Sequence, residues 1–134
     1  MLKSGKEYDW AAVAIPYRLV KRAKKAFGDK ALVYDWNGEG TFWMPTGSDM
    51  MDFIVKLFEK RAELFAEAEK KRKKSIELAK RQVDAGADFI ITNSDYGYNQ
   101  GPFISPKHFS ELVTPNLAKI VEAIHKCGAK WFSS

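Results

Sequence analysis

Residues 86–106, GADFIITNSDYGYNQGPFISP, decide the fold of this 134-residue chain. A glycine turn opens the stretch, an unbroken apolar run follows at 89–91, and polar and aromatic residues begin abruptly at 93. An apolar run bounded by turn signals is typical of a strand buried on both faces of a parallel sheet. Helical patterns on both sides make it the centre of a β/α unit. Because functional groups of such folds gather at the carboxyl ends of strands, residues 93–99 are the predicted location of a site.

The surrounding sequence predicts three parallel strands joined by helices. The strands are predicted at residues 31–36, 88–93 and 130–133. The second and third are expected to pair directly and in parallel. Apolar residues at helical spacing predict helices within residues 9–27, 48–85 and 106–126. The predicted buried stripe of the second helical segment is Leu64, Phe65, Ala68, Ile76, Ala79 and Val83. This segment contains no proline or glycine, so the pattern also permits one long helix.

Specific residues mark the ends of these elements. Ser105 followed by Pro106 predicts a helix start, because serine accepts a backbone hydrogen bond and proline fits the first helical position. Pro115 is predicted to kink the helix that follows. Near the start of the chain, Asp9 is predicted to cap a first short helical turn over residues 10–14.

This order of elements predicts an α/β fold that forms part of a TIM, or (β/α), barrel. A closed barrel of this kind needs eight strands, whereas the pattern shows about three. A small, complete α/β sheet also fits the pattern, but the last predicted strand stops where its loop is expected to begin. We therefore expect residues 1–134 to form a single domain that is the central fragment of a barrel.

Composition limits the classes of function. The net charge is +5, but the basic residues alternate with glutamates on predicted helices and no recognition motif accompanies them, so no nucleic-acid partner is expected. No apolar run approaches the roughly 18 residues of a membrane helix, and no membrane association is expected. Cys127 is the only cysteine, which excludes an internal disulfide and predicts a reducing, cytoplasmic compartment.

Residues 78–134 resemble the uroporphyrinogen decarboxylase superfamily, which includes the corrinoid-linked methyltransferases of methylamine, methanol and methoxyaromatic metabolism. A loop leading into Gly-Pro-x-Ile-Ser-Pro and a following helix with an internal proline carry the resemblance. The matching residues are Asp95, Gly97, Gly101, Pro102, Ile104, Ser105, Pro106 and Pro115. Residues 9–60 fit the preceding β/α unit more loosely. The resemblance implies a TIM barrel of which this chain is a central piece.

The resemblance implies an enzyme, with a choice between two reactions. One branch moves a methyl group between a corrinoid and a thiol or pterin acceptor, with zinc activating the thiol. The other decarboxylates uroporphyrinogen in porphyrin and heme biosynthesis. Ser94 takes the first acidic position of the family loop, and Asp95 falls where the decarboxylase has a serine that contacts a substrate carboxylate. Because two carboxylates repel each other, this favours the methyltransferase branch. A non-catalytic, oligomerising α/β module is the alternative from another class.

The resemblance also implies where cofactors and partners bind. The zinc ligands of the methyltransferase branch follow the strand at residues 130–133. This fragment is therefore expected to hold no metal or other cofactor and to be inactive alone, while zinc and a corrinoid belong to the full-length parent. The expected partners are a small-molecule or tetrapyrrole ligand and a corrinoid protein. Open sheet edges predict self-association of the fragment.

Four residues after the second predicted strand are assigned to the site. Asp95 is the predicted catalytic residue, because it follows a buried strand and the family loop falls on it. An acid at this point can orient a substrate amine or hydroxyl. Ser94, Tyr96 and Asn99 are predicted to bind the substrate, with loop hydrogen bonding and packing as the alternative for each. Asn93 is expected to be structural.

Aromatic and glycine residues after the first strand leave more than one interpretation open. Trp36, Phe42 and Trp43 either pack in the core or form a flat ligand surface near the barrel mouth. The glycines at 38 and 40 fit a plain turn, part of a ligand pocket or a phosphate loop. The groups without a partner at ligand spacing are His108, His125 and Cys127. These three are expected to be structural or surface groups.

Overall fold

The computed structural model describes residues 12–14, 17–38, 45 and 47–133. The strands are β1 (Ala12–Ala14), β2 (Leu32–Trp36), β3 (Phe89–Thr92), β4 (Gly97–Tyr98), β5 (Gly101–Pro102) and β6 (Lys130–Ser133). The helices are α1 (Tyr17–Phe27), α2 (Asp49–Phe58), α3 (Arg61–Asp84), α4 (Pro106–Leu112) and α5 (Thr114–Lys126). A short 3₁₀ helix covers Gly28–Lys30.

Four strands form one parallel sheet in the order β1, β2, β3, β6, and β4 and β5 form a separate antiparallel pair. The strands of the parallel sheet therefore lie side by side in the order in which they occur along the chain. The direct parallel pairing of β3 with β6 is confirmed. Helices connect each of these strands to the next, which is the β/α order of a barrel. The predicted class, a partial α/β barrel, is confirmed, with four parallel strands in the described sheet rather than about three.

The additional strand, β1, corrects a prediction. The helical turn predicted over residues 10–14 is wrong for its last three residues, which pair with Leu32, Val33 and Tyr34 of β2. The sequence Ala-Val-Ala has little local preference, and pairing with β2 satisfies its backbone groups, so the tertiary context decides its conformation. The cap predicted at Asp9 lies outside the described residues.

Both long helical patterns are divided in the structure. A break at residues 59–60 separates α2 from α3, so residues 48–85 do not form one helix. The break between α4 and α5 falls at Val113. This break confirms the kink predicted from Pro115. Its physical reason is that a proline in the first turn of α5 has no N–H to donate to a carbonyl of α4. Ser105 caps α4 as predicted.

The two faces of β2 have opposite environments. Val33, Asp35 and the following Asn37 face the helices and are at most 4% exposed. Leu32 and Trp36 occupy the alternate positions and are 51% and 53% exposed. Successive strand residues point to opposite faces of a sheet. The second face is therefore the one that lines the interior of a closed barrel.

Apolar side chains continue this inner face, which we define by Leu32, Tyr34, Trp36, Phe89 and Ile91, from β2 to β3. The parallel register places Tyr34 beside Phe89 and Trp36 beside Ile91. The rings of Tyr34 and Phe89 stack with their centroids 5.0 Å apart. The inner face thus has the apolar character of a barrel interior.

Two hydrophobic clusters lie on the helix side of the sheet. The first joins the sheet to α1, α3 and α5 through Val20, Val33, Ala79, Ala87, Ile90, Ile120, Ile124 and Ala129. The second joins α2, α3 and α4 to the loop after β3 through Phe53, Leu57, Leu64, Ala68, Ile104, Leu112 and Val113. Among the described residues, no helix combines the length and apolarity that crossing a bilayer requires.

The buried face of α3 differs in part from the predicted stripe. Leu64 and Ala79 are buried as predicted, but Phe65 is 38% exposed. Ser75 and Gln82 are only 7% and 1% exposed, although the apolar pattern does not include them. Polar partners at the end of β2 explain why these two side chains face inward.

An ion pair holds α1 against the turn before β3. Lys24 Nζ lies 2.7 and 2.8 Å from the two carboxylate oxygens of Asp88, which also accepts the backbone N–H of Val33 at 2.8 Å. Gly86 adjoins Lys24: its φ is +106°, and an added Cβ would stand 3.2 Å from Lys24 Cγ. Both the backbone angle and the close contact therefore favour glycine at this turn.

We expect the 134-residue chain to self-associate in solution. The outer strands β1 and β6 present open edges in the described sheet, and burial of the exposed Leu32 and Trp36 removes apolar surface from water. In light scattering across a concentration series, the apparent mass should rise with concentration. Leu32→Lys should move this rise to higher concentration, whereas Leu19→Lys on α1, at a comparably exposed leucine, should not. A monodisperse monomer at high concentration contradicts the expectation.

Candidate functional site

The carboxyl end of the sheet, here called the mouth and formed by residues 36–38 and 93–95, is tied together by hydrogen bonds. The indole N–H of Trp36 donates to the amide oxygen of Asn93. Between backbones, the N–H after β2 at residue 37 donates to the carbonyl of Ile91 at 2.9 Å, and the N–H of Asn93 donates to the carbonyl at residue 38 at 3.3 Å. These bonds place Trp36 beside the polar loop that follows β3.

A buried polar network supports the mouth from the helix side. Gln82 of α3 donates from Nε2 to Asp35 Oδ2 at 2.9 Å and to the carbonyl of Trp36 at 2.9 Å. The N–H of Trp36 donates to Asp35 Oδ1 at 2.8 Å. Both backbone groups of Trp36 are therefore bound by side chains that are themselves buried.

Asn37 and Ser75 complete this network. Asn37 Nδ2 donates to Gln82 Oε1 at 2.9 Å and to the carbonyl of Ser75 at 3.0 Å, and the Ser75 hydroxyl donates to Asn37 Oδ1. Among the described residues, every buried side-chain nitrogen and oxygen has a hydrogen-bond partner. A shift of α3 along β2 would leave several of these groups unpaired, at a cost of about 1–3 kcal/mol each. The network therefore fixes one position of the helix on the strand.

The carboxyl group of Asp35 has a perturbed pKa. Burial raises the pKa above its ordinary value of 3.8, while hydrogen bonds from Gln82 and from the N–H of Trp36 act in the opposite direction. A perturbed carboxyl group in a fold of this kind is a candidate for catalysis. However, Asp35 faces α3 rather than the mouth, so the structure assigns it to the support of the site.

The predicted catalytic residue, Asp95, lies exposed in the loop after β3. Its Oδ1 accepts the backbone N–H of Gly97 at 3.0 Å, an Asx-type turn that orients the carboxylate. Ser94 is half-buried beside it. Ser94 and Asp95 are the two residues after Asn93, so they belong to the loop that Trp36 contacts through Asn93.

The other two predicted substrate residues are not gathered at this point. The ring of Tyr96 meets Phe109 of α4 edge-on, with centroids 5.1 Å apart, and joins the second hydrophobic cluster. The carbonyl of Tyr96 accepts the N–H of Phe103 at 2.7 Å. Asn99 lies exposed in the turn of the antiparallel β4–β5 hairpin. Phe42 and Trp43, which the sequence leaves between core and ligand surface, lie outside the described residues, as does Gly40.

The described residues do not assemble a metal site. No group of three or more His, Cys, Asp or Glu side chains among them is placed to hold an ion. His108 contacts Phe58 edge-on with centroids 5.4 Å apart, and His125 lies in the last turn of α5. These residues therefore do not fit the zinc of the methyltransferase branch, and zinc enters none of the steps proposed below.

Ion pairs neutralise part of the basic face of α3. Glu69 lies 2.9 Å from Lys73 and 3.5 Å from Arg72, and the hydrogen bond and charge of Lys73 hold the pKa of Glu69 below its usual value. Arg81 pairs with Glu77 at 2.5 Å. This is the arrangement of a solvated helix surface, which the sequence favours over a nucleic-acid surface.

Sequence reasoning missed the polar network and the contact between Trp36 and Asn93. One signal for the network was present in β2, because polar residues at 35 and 37 share the helix-facing side of the strand with Val33. A buried polar residue requires a polar partner. Ser75 and Gln82, seven positions apart on one side of α3, provide those partners.

Gln82→Met is expected to destabilise the chain by about 2–4 kcal/mol. Methionine keeps the approximate volume but removes the donor to Asp35 and the acceptor for Asn37, which leaves buried polar groups unpaired. Urea denaturation measures the change. Gln100→Met at the exposed tip of the hairpin is the matched control and should stay within about 0.5 kcal/mol of the wild type. Equal unfolding midpoints for the two variants would show that the network contributes no stability.

Because the folded-state pKa of Asp35 is raised, the contribution of Asp35 to the free energy of unfolding should increase as the pH falls. In the pH interval between the ordinary value of 3.8 and the raised folded-state pKa, the folded protein retains a proton that the unfolded chain has released. The free energy of unfolding that depends on Asp35 should therefore rise as the pH falls through this interval and stay constant below it. Asp35→Asn does not titrate, so the wild type should gain stability relative to this variant. A difference that is independent of pH contradicts the expectation.

Comparison with known proteins places these observations in a family. The family model for uroporphyrinogen decarboxylase (URO-D) matches residues 43–132, well over half of the chain. Comparison with curated proteins gives no match. Among solved structures, a methyltransferase from Methanosarcina mazei has a similar fold, with a TM-score of 0.67 and 18% sequence identity over 87% of this chain. This chain spans 33% of the length of that protein. The extent of the family match, on a partial barrel of the expected order, shows that the chain belongs to the uroporphyrinogen decarboxylase family.

Proposed function

We propose that the chain is the central part of an enzyme of the methyltransferase branch, which moves a methyl group between a corrinoid and a thiol or pterin acceptor. The observation that carries the proposal is the exposed carboxylate of Asp95, oriented at the carboxyl end of β3 by the N–H of Gly97. Functional groups of α/β barrels lie at this end. A methyltransferase is also among the proteins of similar fold.

The charge of Asp95 favours methyl transfer over decarboxylation. Uroporphyrinogen carries carboxylates, and two like charges 4 Å apart near a protein surface repel each other by about 4 kcal/mol. A thiol or a neutral heterocycle presents no such charge to Asp95. The same loop position therefore suits a methyl acceptor better than a polycarboxylated porphyrinogen.

In this proposal Asp95 orients the acceptor and receives its proton. A thiol or N–H acceptor loses a proton when it takes the methyl group, and a positioned carboxylate can accept that proton. Ser94 is near enough along the chain to bind the same acceptor. The corrinoid is the methyl-carrying substrate, presented by a corrinoid protein as partner. Its bond to the methyl group would break as the acceptor forms the new bond, and the corrinoid would keep the electron pair. Zinc activation of a thiol would require ligands from outside the described residues.

Two other functions have support of their own. Decarboxylation of uroporphyrinogen is the second candidate, because the matching family model is that of the decarboxylase. The candidate from another class is a non-catalytic α/β module that oligomerises through its uncovered inner face. The catalytic proposals require an active longer protein, whereas the 134-residue chain alone is expected to be inactive.

The test is an assay of the longer protein that carries this chain, with Asp95→Asn as the variant. We expect transfer of a methyl group from a methylated corrinoid to a thiol or pterin and no decarboxylation of uroporphyrinogen. Asparagine can still accept the N–H of Gly97, so the melting temperature should be almost unchanged. Because the charge is lost, turnover should fall by about 10²-fold or more.

Two further variants separate catalysis from folding. Asp29→Asn removes an exposed aspartate before β2, at the opposite end of the sheet, and should leave turnover unchanged. Asp95→Ala also breaks the turn to Gly97 and should cost about 1 kcal/mol of stability. Full turnover in a folded Asp95→Asn protein would remove Asp95 from the mechanism. Decarboxylation without methyl transfer would replace the first proposal by the second.

A further inference from the structure

We propose that the exposed ring of Trp36 is a stacking platform for a planar conjugated ring of the ligand at the mouth. The inference rests on the function proposed above and makes it more specific, since a thiol has no flat face to stack. Among the proposed acceptors it therefore favours a pterin-type heterocycle. The same chemistry would also accept the face of a tetrapyrrole.

The position and exposure of Trp36 are the first observation. Trp36 is the last residue of β2, lies on the inner face at the carboxyl end of the sheet, and is 53% exposed among the described residues. Its indole N–H donates to Asn93, the first residue of the polar loop that continues with Ser94 and Asp95. Because functional groups of α/β barrels gather at the carboxyl ends of strands, an aromatic ring at this point is placed to contact a ligand at the mouth.

The second observation is that Trp36 is held from three directions. Its N–H is bound by Asp35, its carbonyl by Gln82, and its indole N–H by Asn93. The first two partners belong to the fully paired buried network. A residue whose backbone and ring are both held by hydrogen bonds loses less freedom when a ligand binds, so more of the contact energy appears as affinity.

The hydrogen bond to Asn93 also determines what the ligand meets. Because the polar edge of the indole is satisfied within the protein, the part of Trp36 left for a ligand is its aromatic surface. The amide oxygen of Asn93 faces the indole, so the NH₂ end of this exposed side chain is turned away from it. A ring with a hydrogen-bond acceptor at its edge, such as the oxo group of a pterin, complements both features.

Binding of two probes to the 134-residue chain tests the proposal, at protein concentrations where light scattering finds a monomer. The probes are 2-amino-4-oxopteridine and a tetracarboxylated porphyrin, each followed by its own fluorescence anisotropy. Trp36→Leu keeps apolar bulk but removes the aromatic face, and it should weaken binding at least tenfold. Trp36→Phe keeps an aromatic face and should weaken binding by no more than about threefold.

Matched variants distinguish stacking from general adhesion to the inner face. Leu32→Ala removes a comparably exposed side chain from the same face and should leave binding within about twofold. Asn93→Ala frees the indole and should weaken binding by a few-fold while the ring remains. Urea midpoints of all variants show whether each is folded.

Each outcome has a definite meaning. If Trp36→Leu loses pterin binding while Leu32→Ala keeps it, the result supports the platform and the heterocyclic acceptor. If the porphyrin is the probe whose binding Trp36→Leu loses, the result supports the platform with a tetrapyrrole. No binding of either probe by the wild type, or an equal loss in Leu32→Ala, overturns the proposal. These readouts measure binding, so they stand whether or not the longer protein transfers methyl groups.

Discussion

A buried carboxylate held by a buried amide, Asp35 with Gln82, is the contact on which the carboxyl end of the sheet depends. Gln82 bonds at once to the carboxylate, to the carbonyl of Trp36 and to the amide of Asn37. Burying polar groups carries a desolvation cost, so the paired network adds little net stability. Its effect is to select one arrangement of α3 on β2. An apolar contact at this place would tolerate sliding of α3 along β2. The paired network does not, so the backbone of Trp36 is held in one position.

The alternation of β2 connects this support to the site. Residues at odd positions face α3 and hold the strand end, while Trp36 at the intervening position faces the interior. The helix-facing side of β2 thus carries the structural polar groups, and its inner side carries the side chain proposed to meet a ligand. The inner face is uncovered among the described residues, and the chain spans 33% of the length of a protein of similar fold. A barrel that is not closed necessarily leaves its inner face uncovered.

Local patterns predicted the parts of the fold that local interactions decide. The apolar run of β3, the cap at Ser105 and the kink at Pro115 all follow from neighbouring residues, and all are present. β1 was mispredicted because its three residues acquire a conformation only by pairing with β2, which lies twenty residues further along the chain. The same limit applies to the site. Gln82 and Asp35 are 47 positions apart, and polar residues on a helix are ordinarily assigned to solvent unless the partner is known.

Two aspartates near the mouth differ in what their carboxylates can reach. Asp35 has the perturbed pKa that often marks a catalytic acid, but its oxygens are occupied by Gln82 and by the backbone of Trp36 on the helix side. Asp95 lies exposed after β3, and its carboxylate accepts the backbone N–H of Gly97, so the carboxylate stays accessible from solvent. Desolvation by an incoming ligand ring would strengthen the electrostatic effect of that carboxylate. Asp95 therefore remains the proposed catalytic residue, whereas Asp35 holds the backbone of Trp36 from the helix side and thereby supports the proposed stacking surface.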